Sequence, residues 1–277
     1  PALPAAAVRP NPVAAAAPTV EPSNPRPEAA VPAASRAPTA LRVYAPGQEV
    51  EYFPADILFI HAHPDDESLD FGVLMAGASF AGKRVAVVLF TDGESGLDLY
   101  PQRTVGDIYP ARKLVGAPLA QVRVVEATRA LSLLGAEAYV RLGLANRPYA
   151  GERDALSVEQ VLELWGGEER LIARLIAIIE GFRPALVVSP DARTRAHEHF
   201  EHEAVGHLVR EALAVLGPGA PYLRGHLVCV DPNQTGGYDA VIRVSALRPD
   251  PVSGRELRTL KAAALTEHVT QRDAAVL

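Results

Sequence analysis

The stretch Ile57-Leu58-Phe59-Ile60-His61-Ala62-His63-Pro64-Asp65-Asp66-Glu67 joins a short apolar run to a cluster of imidazole and carboxylate side chains. The run predicts a buried β-strand over Asp56–Ala62, and Pro64 prevents that strand from pairing further. Apolar residues then recur at helical spacing from Leu69 to Phe80, so a helix is expected next. The cluster therefore lies where a strand ends and a helix begins, which is where ligands bind in open α/β sheets.

A second cluster, His197-Glu198-His199-Phe200-Glu201-His202, follows the strand candidate Ala185–Ser189. On a helix, His199 and His202 would share one face. Because the carboxyl ends of parallel strands meet at one edge of a sheet, we expect the two clusters to converge. Imidazole and carboxylate groups together are typical ligands of a divalent metal ion. The two clusters therefore predict a shared metal or catalytic site.

Apolar runs and helical patterns alternate along the chain. Strands are expected at Asp56–Ala62, Arg84–Thr91, Ala138–Leu142, Ala185–Ser189 and His226–Val230, and Ala240–Val244 is a candidate for a last strand. Helices are expected at Ser68–Ala81, Val122–Leu134, Glu168–Glu180, His202–Leu216 and Arg255–Glu267. The alternation predicts an α/β fold that is Rossmann-like, with a mostly parallel sheet covered by helices on both faces.

The first 40 residues differ in composition from the rest of the chain. They are rich in Pro, Ala and Val and contain no aromatic residue, so we expect a disordered linker over 1–40 and one domain over 41–277. A linker of this kind is common after a removed export signal. It therefore favours an exported or cell-envelope protein, with a cytoplasmic protein as the alternative.

Charge and composition exclude several classes of function. The 277 residues carry a formal net charge of −6 and no basic run, so nucleic acid is not an expected partner. No apolar run reaches the length of about 18 residues that indicates a transmembrane span. Neither a phosphate-binding Gly-Lys-Ser/Thr loop nor a dinucleotide-binding glycine motif follows the first strand. Cys229, the single cysteine, lies in an apolar strand candidate and is expected in the core.

The segment Ala62–Glu67 resembles the Ala-His-Pro-Asp-Asp-Glu signature of the PIG-L/LmbE-like de-N-acetylases, which act on N-acetylglucosaminides. The segment His199–Gly206 is similar to the His-Pro-Asp-His-x-Ala-x-Gly motif of that family, with Phe200 for Pro and Glu201 for Asp. Looser matches extend the resemblance over about residues 53–277. They lie at Leu89–Gly96, Arg123–Glu126 and Lys261–Gln271.

The resemblance implies a hydrolase that removes the acetyl group from an N-acetylated amino sugar or glycoconjugate, so the expected partner is a small-molecule or glycan substrate. It also implies that His63, Asp66 and His202 hold Zn²⁺, with Fe²⁺ as an alternative ion. Asp65 would be the general base, and His199 would stabilise the oxyanion. The ligand set leaves a coordination position open, as catalytic rather than structural zinc sites do.

Four further residues are expected to contact the substrate or to support the metal ligands: Glu67, Glu94, Glu201 and His268. Glu201, which is longer than the Asp of the family motif, is expected to orient His199 or His202. Four histidines have a less defined expectation. His197 offers another register for the ligands, and His61 either lines the pocket or hydrogen-bonds a neighbour. His207 and His226 are expected to be structural or surface residues.

Two long connections, Ser95–Leu119 and Asn146–Asp154, are expected to form the rim of the site, because long loops are often functional. A second hypothesis is a non-catalytic metal- or glycan-binding envelope module that retains the deacetylase fold. The altered motif at Phe200 and Glu201 favours this module, whereas the intact first motif favours the enzyme. Acetate release with and without a chelator separates the two hypotheses.

Overall fold

The computed structural model describes residues 40–99, 104–105, 109–110, 113–148, 155–191, 199–229, 244–249 and 254–271. All of them belong to one compact unit. The expected linker over 1–40 lies outside the described residues except for Ala40, and so does the candidate strand Ala240–Val244 except for Val244. His197 and parts of both rim connections also lie outside.

Six parallel strands form the main sheet, in the order β1-β6-β3-β2-β7-β8. These strands are β1 (Arg42–Tyr44), β2 (Ile57–His61), β3 (Val85–Thr91), β6 (Ala138–Leu144), β7 (Leu186–Pro190) and β8 (Gly225–Cys229). Two short strands, β4 (Thr104–Val105) and β5 (Tyr109–Pro110), pair with each other in an antiparallel ribbon. The parallel sheet was predicted from the alternation of patterns and is confirmed.

Seven helices are seen among the described residues: α1 (Asp66–Leu69), α2 (Gly72–Phe80), α3 (Ala117–Leu134), α4 (Val158–Leu164), α5 (Glu168–Phe182), α6 (Phe200–Leu216) and α7 (Leu257–Glu267). None of them combines the length and apolarity that a membrane crossing requires. Neither β1 nor α4 was expected. Helix α3 begins at Ala117, five residues before the expected Val122. Gly116 is its N-cap residue, and Pro118 lies in its first turn.

The two faces of the sheet are covered by separate apolar clusters, as the alternation of side chains along a strand requires. Leu58 and Ile60 of β2 pack in one cluster with residues of α4, α5 and α6. Ile57 and Phe59 pack in the other with residues of α2, α3 and α7. Every residue of β2 is buried, as in other strands covered on both faces. Because packing on both faces holds β2 in place, the position of the His63 segment, which follows β2 directly, is also defined.

One expected helix, Ser68–Ala81, is wrong as a single element. The structure divides it into α1 and α2, with Asp70 and Phe71 between them. The Lys261 ammonium donates a hydrogen bond to the backbone oxygen of Leu69, an acceptor that a continuous helix would use for its own backbone. Lys261 also lies against Gly72, where an added Cβ would be 3.2 Å from its Cγ. A contact from the distant helix α7 thus accompanies the break.

Two glycines that follow helices allow a matched test of packing. Gly82 and Gly135 have φ angles of +77° and +80°, but only Gly135 faces a neighbour, since an added Cβ would lie 2.8 Å from Ser79 Cβ. Gly82→Ala should lower the free energy of unfolding by about 1–2 kcal/mol, the cost of the left-handed backbone. Gly135→Ala should lower it by roughly 1–3 kcal/mol more, because of overpacking. Urea unfolding measures both values, and equal losses would contradict the contact.

Candidate active site

The site lies at the point where the strand order reverses. From β2 the chain continues through β3 and β6 on one side, whereas β7 and β8 lie on the other side. Ligands of open α/β sheets bind in the crevice outside the carboxyl ends of strands at such a point. The predicted clusters follow β2 and β7, which pair directly, with Phe59 opposite Val188. The expected convergence of the two clusters is therefore present.

The three residues expected to hold a metal are brought together. His63 Nδ1 lies 2.9 Å from His202 Nε2, which lies 3.3 Å from Asp66 Oδ2. The third side of the triangle, from His63 Nδ1 to Asp66 Oδ2, is 3.9 Å. Donors around a tetrahedral zinc ion, each about 2.1 Å from it, would be about 3.4 Å apart. The geometry of these three side chains fits a divalent ion.

Asp66 is fixed by the turn that precedes it. Its Oδ2 accepts hydrogen bonds from the backbone N–H groups of Ala62 and His63, at 3.0 and 2.9 Å. Burial alone would raise the pKa of the Asp66 carboxyl, but the neighbouring His202 and His63 rings outweigh this effect and hold the pKa well below its usual range. Asp66 is therefore ionised near neutral pH, as a metal ligand must be.

The side chain of Glu201 contacts the ring of His63, a residue of the predicted metal group that it was not expected to orient. The Nε2 of His63 lies 2.6 Å from Glu201 Oε2, and this contact leaves Nδ1 directed at Asp66 and His202. A carboxylate on the far nitrogen of a ligating histidine fixes the ring and its tautomer. Burial would lower the pKa of His63, but its hydrogen bond with Glu201 raises that pKa above its usual value.

Asn146 was expected in the rim of the site, but not as a partner of Glu201, whose surroundings it completes. Its side-chain amide donates to Glu201 Oε2 at 2.8 Å, and the backbone N–H of Arg147 donates to Oε1 at 2.8 Å. The backbone N–H of Asn146 donates in turn to Glu94 Oε1 at 2.7 Å. Glu94 thus supports the loop after β6. The sequence signal for Asn146 was its position, because it is a polar residue just after the carboxyl end of a strand.

Asp65 has a strained backbone, with φ 131° and ψ −28°. Only Asp65 and Arg183 among the non-glycine residues described have a positive φ. Such a conformation costs on the order of 1–3 kcal/mol and persists only where surrounding contacts impose it. Burial raises the pKa of the Asp65 carboxyl, and the opposing effect of Arg123 does not cancel the rise. Asp65 is thus a stronger base than an exposed aspartate.

Arg123 is the second residue that sequence reasoning missed. Its Nη2 donates to the backbone oxygen of Pro64 at 2.7 Å and to Asp65 Oδ2 at 3.2 Å, and its Nη1 donates to the backbone oxygen of Gly93 at 3.0 Å. An added Cβ at Gly93 or Gly96 would lie 2.3 or 2.5 Å from Nη1. The sequence did contain a signal for a buried arginine. Arg123 lies four residues from both Leu119 and Ala127, which are buried, so it occupies a core-facing position of α3.

His199 lies at the N-cap of α6, where its Nδ1 accepts a hydrogen bond from the backbone N–H of Glu201 at 3.2 Å. Burial and the adjacent His63 lower the pKa of His199 to about 3, so the ring is neutral near pH 7. With Nδ1 as an acceptor, the proton lies on Nε2, which is then a donor. The ring centres of His199 and His63 are 4.5 Å apart, so the His199 ring lies beside the residues expected to hold a metal.

Glu67 and His268 are fully buried and pair with each other, with His268 Nε2 2.6 Å from Glu67 Oε1. They support the turn and have no surface for a substrate. His61 Nδ1 lies 2.8 Å from the backbone oxygen of His63, so of the two expectations for His61 the hydrogen bond to a neighbour holds.

His207, His226 and Cys229 lie outside the site. His207 pairs with Glu168 and His226 with Ser189, in the structural or surface roles expected for them. Cys229 is partly buried and packs against the apolar cluster of one sheet face, so it lies at the margin of the core in which it was expected. It ends β8, which is an edge strand of the sheet.

The metal group allows a direct test with two histidines of the same helix. The wild-type protein should hold about one divalent ion per chain, and His202→Ala should lose most of it, because two protein donors remain instead of three. His207→Ala is the control, since His207 lies on α6 but pairs with Glu168. Elemental analysis of the purified proteins measures the metal. Undiminished metal in the His202 variant would contradict the assignment.

A family model described as PIG-L, GlcNAc-PI de-N-acetylase, matches residues 58–213, more than half of the chain. A 1D-myo-inositol 2-acetamido-2-deoxy-alpha-D-glucopyranoside deacetylase of Mycobacterium leprae is 33% identical over 166 residues, which are 59% of this chain and 52% of that protein. The enzyme with the same description from Thermomonospora curvata is 34% identical over 151 residues, 53% of this chain and 47% of the relative. The chain spans about half the length of the curated relatives it matches.

Solved structures share the fold. The N,N'-diacetylchitobiose deacetylase from Pyrococcus horikoshii superposes with a TM-score of 0.54 at 21% identity, over 78% of this chain and 71% of that chain. A conserved protein from Thermus thermophilus superposes with a TM-score of 0.52 at 18% identity, over 80% of this chain and 84% of the other. At these identities the likeness shows the fold alone. The match to the family model, which includes the first motif and both the His199 and His202 positions, shows that the chain belongs to the PIG-L family.

Proposed function

We propose that the chain is a metal-dependent deacetylase that hydrolyses the acetamide of an N-acetylglucosaminide and releases acetate and a free amine. One observation carries the proposal. A buried carboxylate with a raised pKa, Asp65, lies directly beside the convergent donors His63, Asp66 and His202. A structural metal site does not require a general base beside it, whereas the hydrolysis of an amide does. The strained backbone of Asp65 also fits a functional role.

His63, Asp66 and His202 would hold the ion, and Zn²⁺ is the proposed species, with Fe²⁺ compatible with the same donors. A divalent ion at such a site supplies an acidified water and a positive charge for the carbonyl oxygen. The protein's contribution is to hold the three donors at fixed separations, which Glu201 does for His63 and the backbone N–H groups of Ala62 and His63 do for Asp66.

Asp65 is the proposed general base. It accepts a proton from the attacking water and afterwards delivers it to the nitrogen of the leaving amine. The contact between Arg123 Nη2 and Asp65 Oδ2 orients the carboxylate. Glu67, which would be the next candidate by sequence position, is excluded as the base because it is fully buried and paired with His268.

His199 is the proposed donor to the acetamide oxygen. Its neutral ring carries the proton on Nε2, as the hydrogen bond to Nδ1 requires. A neutral donor stabilises the negative charge that develops on this oxygen as the water attacks. His199 cannot serve as the general acid at neutral pH, because its pKa is about 3. The return of the proton therefore falls to Asp65.

The substrate class rests on the relatives. Two of them are named as deacetylases of an inositol glycoside of 2-acetamido-2-deoxy-glucopyranose. We therefore propose an acetamido sugar joined to a second group, with no assignment of that group. The binding of a glycan without hydrolysis is the competing proposal.

The deciding experiment is the measurement of acetate released from an N-acetylglucosaminyl-inositol. The protein as purified should release acetate, a chelator should abolish the release, and added Zn²⁺ should restore it. Binding of the glycoside without acetate, in protein that contains its metal, would favour the non-catalytic module and contradict the proposal.

Asp65→Asn should keep the metal and the fold but lower kcat by about 10²–10⁴-fold, because an amide cannot accept the proton. The matched control is Asp56→Asn, at the opposite end of β2, where Asp56 accepts a hydrogen bond from the backbone of Arg84. The control should retain wild-type kcat. A near-native kcat in the Asp65 variant would show that another group is the base.

A further inference from the structure

The C-terminal segment 257–271 contacts the turn that carries Asp65, although it lies beyond the 58–213 match to the family model. Lys261 donates to the backbone oxygen of Leu69 at the end of α1. His268, which follows α7, reaches Glu67. Thr270 donates to Glu126 through both its backbone N–H, at 2.9 Å, and its hydroxyl, at 2.6 Å. The segment therefore holds α1 and α3, between which Asp65 lies.

Glu67 connects this segment to Asp65. Its Oε2 accepts the backbone N–H of Asp65 at 3.0 Å. Its Oε1 accepts the hydroxyl of Ser68 at 2.8 Å and lies 2.6 Å from His268 Nε2. The carboxylate is completely buried, so water does not compete for either oxygen. The position of Glu67 thus depends on His268, and the backbone of Asp65 depends on Glu67.

The contact matters because of the backbone conformation that it fixes. An aspartate with φ 131° relaxes toward negative φ unless its neighbours prevent it. Arg123 holds the Asp65 carboxylate and the Pro64 carbonyl from one side. The bond from the Asp65 N–H to Glu67 holds the amide plane that precedes the strained residue. Both contacts are needed to define where the carboxylate points.

We propose that His268 is a positioning residue for Asp65 and acts through Glu67. The inference rests on the proposed function only in taking Asp65 as the base. His268 is 1% exposed and does not contact the crevice directly. Its Nδ1 has no hydrogen-bond partner within the part of the chain that the structure describes, so the polar contacts of the ring are made by Nε2 with Glu67 and Ser68.

The test compares two polar replacements of different length. His268→Gln places an amide N–H near the position of Nε2, whereas the side chain of His268→Asn ends near Nδ1 and cannot reach Glu67. His226→Asn is the control, because His226 is a partly buried histidine on β8 whose Nε2 lies 2.8 Å from the Ser189 hydroxyl on β7. Each variant is measured as the metal-containing protein for kcat, KM, metal content and the amide proton shift of Asp65, with aspartate labelled by ¹⁵N.

Loss of positioning should appear in kcat alone. His268→Asn should lower kcat by about 10–100-fold, with KM and metal content unchanged, as for other residues that support a site indirectly. His268→Gln should restore most of the lost rate, and His226→Asn should leave kcat at the wild-type value. A rate loss in His268→Asn that Gln does not restore, or that the His226 control shares, would overturn the proposal.

The chemical shift of the Asp65 amide proton tests the role of His268 even if the protein shows no catalytic turnover. In the wild-type protein the Asp65 amide proton should lie far downfield, because it donates to a carboxylate. It should move upfield in His268→Asn and return in His268→Gln. An Asp65 amide near its random-coil position in the wild-type protein would overturn the proposal without any variant. If the wild-type protein releases no acetate, the deacetylase proposal fails. The proposal that His268 positions Asp65 is then decided by the chemical shift of the Asp65 amide proton.

Discussion

The parallel pairing of β2 with β7 is the constraint on which the site depends. It places the segment after β2 next to the start of α6, although more than 130 residues separate His63 from His202. The pairing is stabilised by apolar side chains on both faces of the sheet, and full burial of one such side chain contributes about 1.5–3 kcal/mol. Two separate apolar clusters thus hold the donors together before any ion is present.

Each carboxylate of the site faces a basic side chain. Glu201 faces His63, Asp66 faces both His63 and His202, Glu67 faces His268, and Arg123 faces Asp65. Removal of one partner of a buried pair typically costs roughly 3–5 kcal/mol, because a buried charge is left uncompensated. Replacements that keep shape and hydrogen bonds are therefore more informative here than truncation to alanine, which confuses a loss of chemistry with a loss of fold.

Local patterns predicted the parallel sheet, five of its strands and the convergence of the two polar clusters, whereas the choice of His63, Asp66 and His202 within them came from the resemblance to the family. They succeeded because a short apolar run and the polar residues after it lie together in the sequence. They failed where a distant side chain decides the local structure. Lys261 accompanies the break between α1 and α2 from almost 200 residues away. Arg123 and Asn146 acquire their roles only through neighbours that are distant in the sequence, Asp65 and Glu201.

Glu201 also constrains how this chain can vary. One carboxylate contacts both a metal-ligand ring, through His63, and the loop after β6, through Asn146 and Arg147. An aspartate at this position is shorter by one methylene group and could reach both partners only if that loop followed a path closer to α6. The side-chain length at position 201 and the path of the loop must therefore change together. In related chains, the presence of Glu or Asp at this position should therefore correlate with the conformation of the loop after β6.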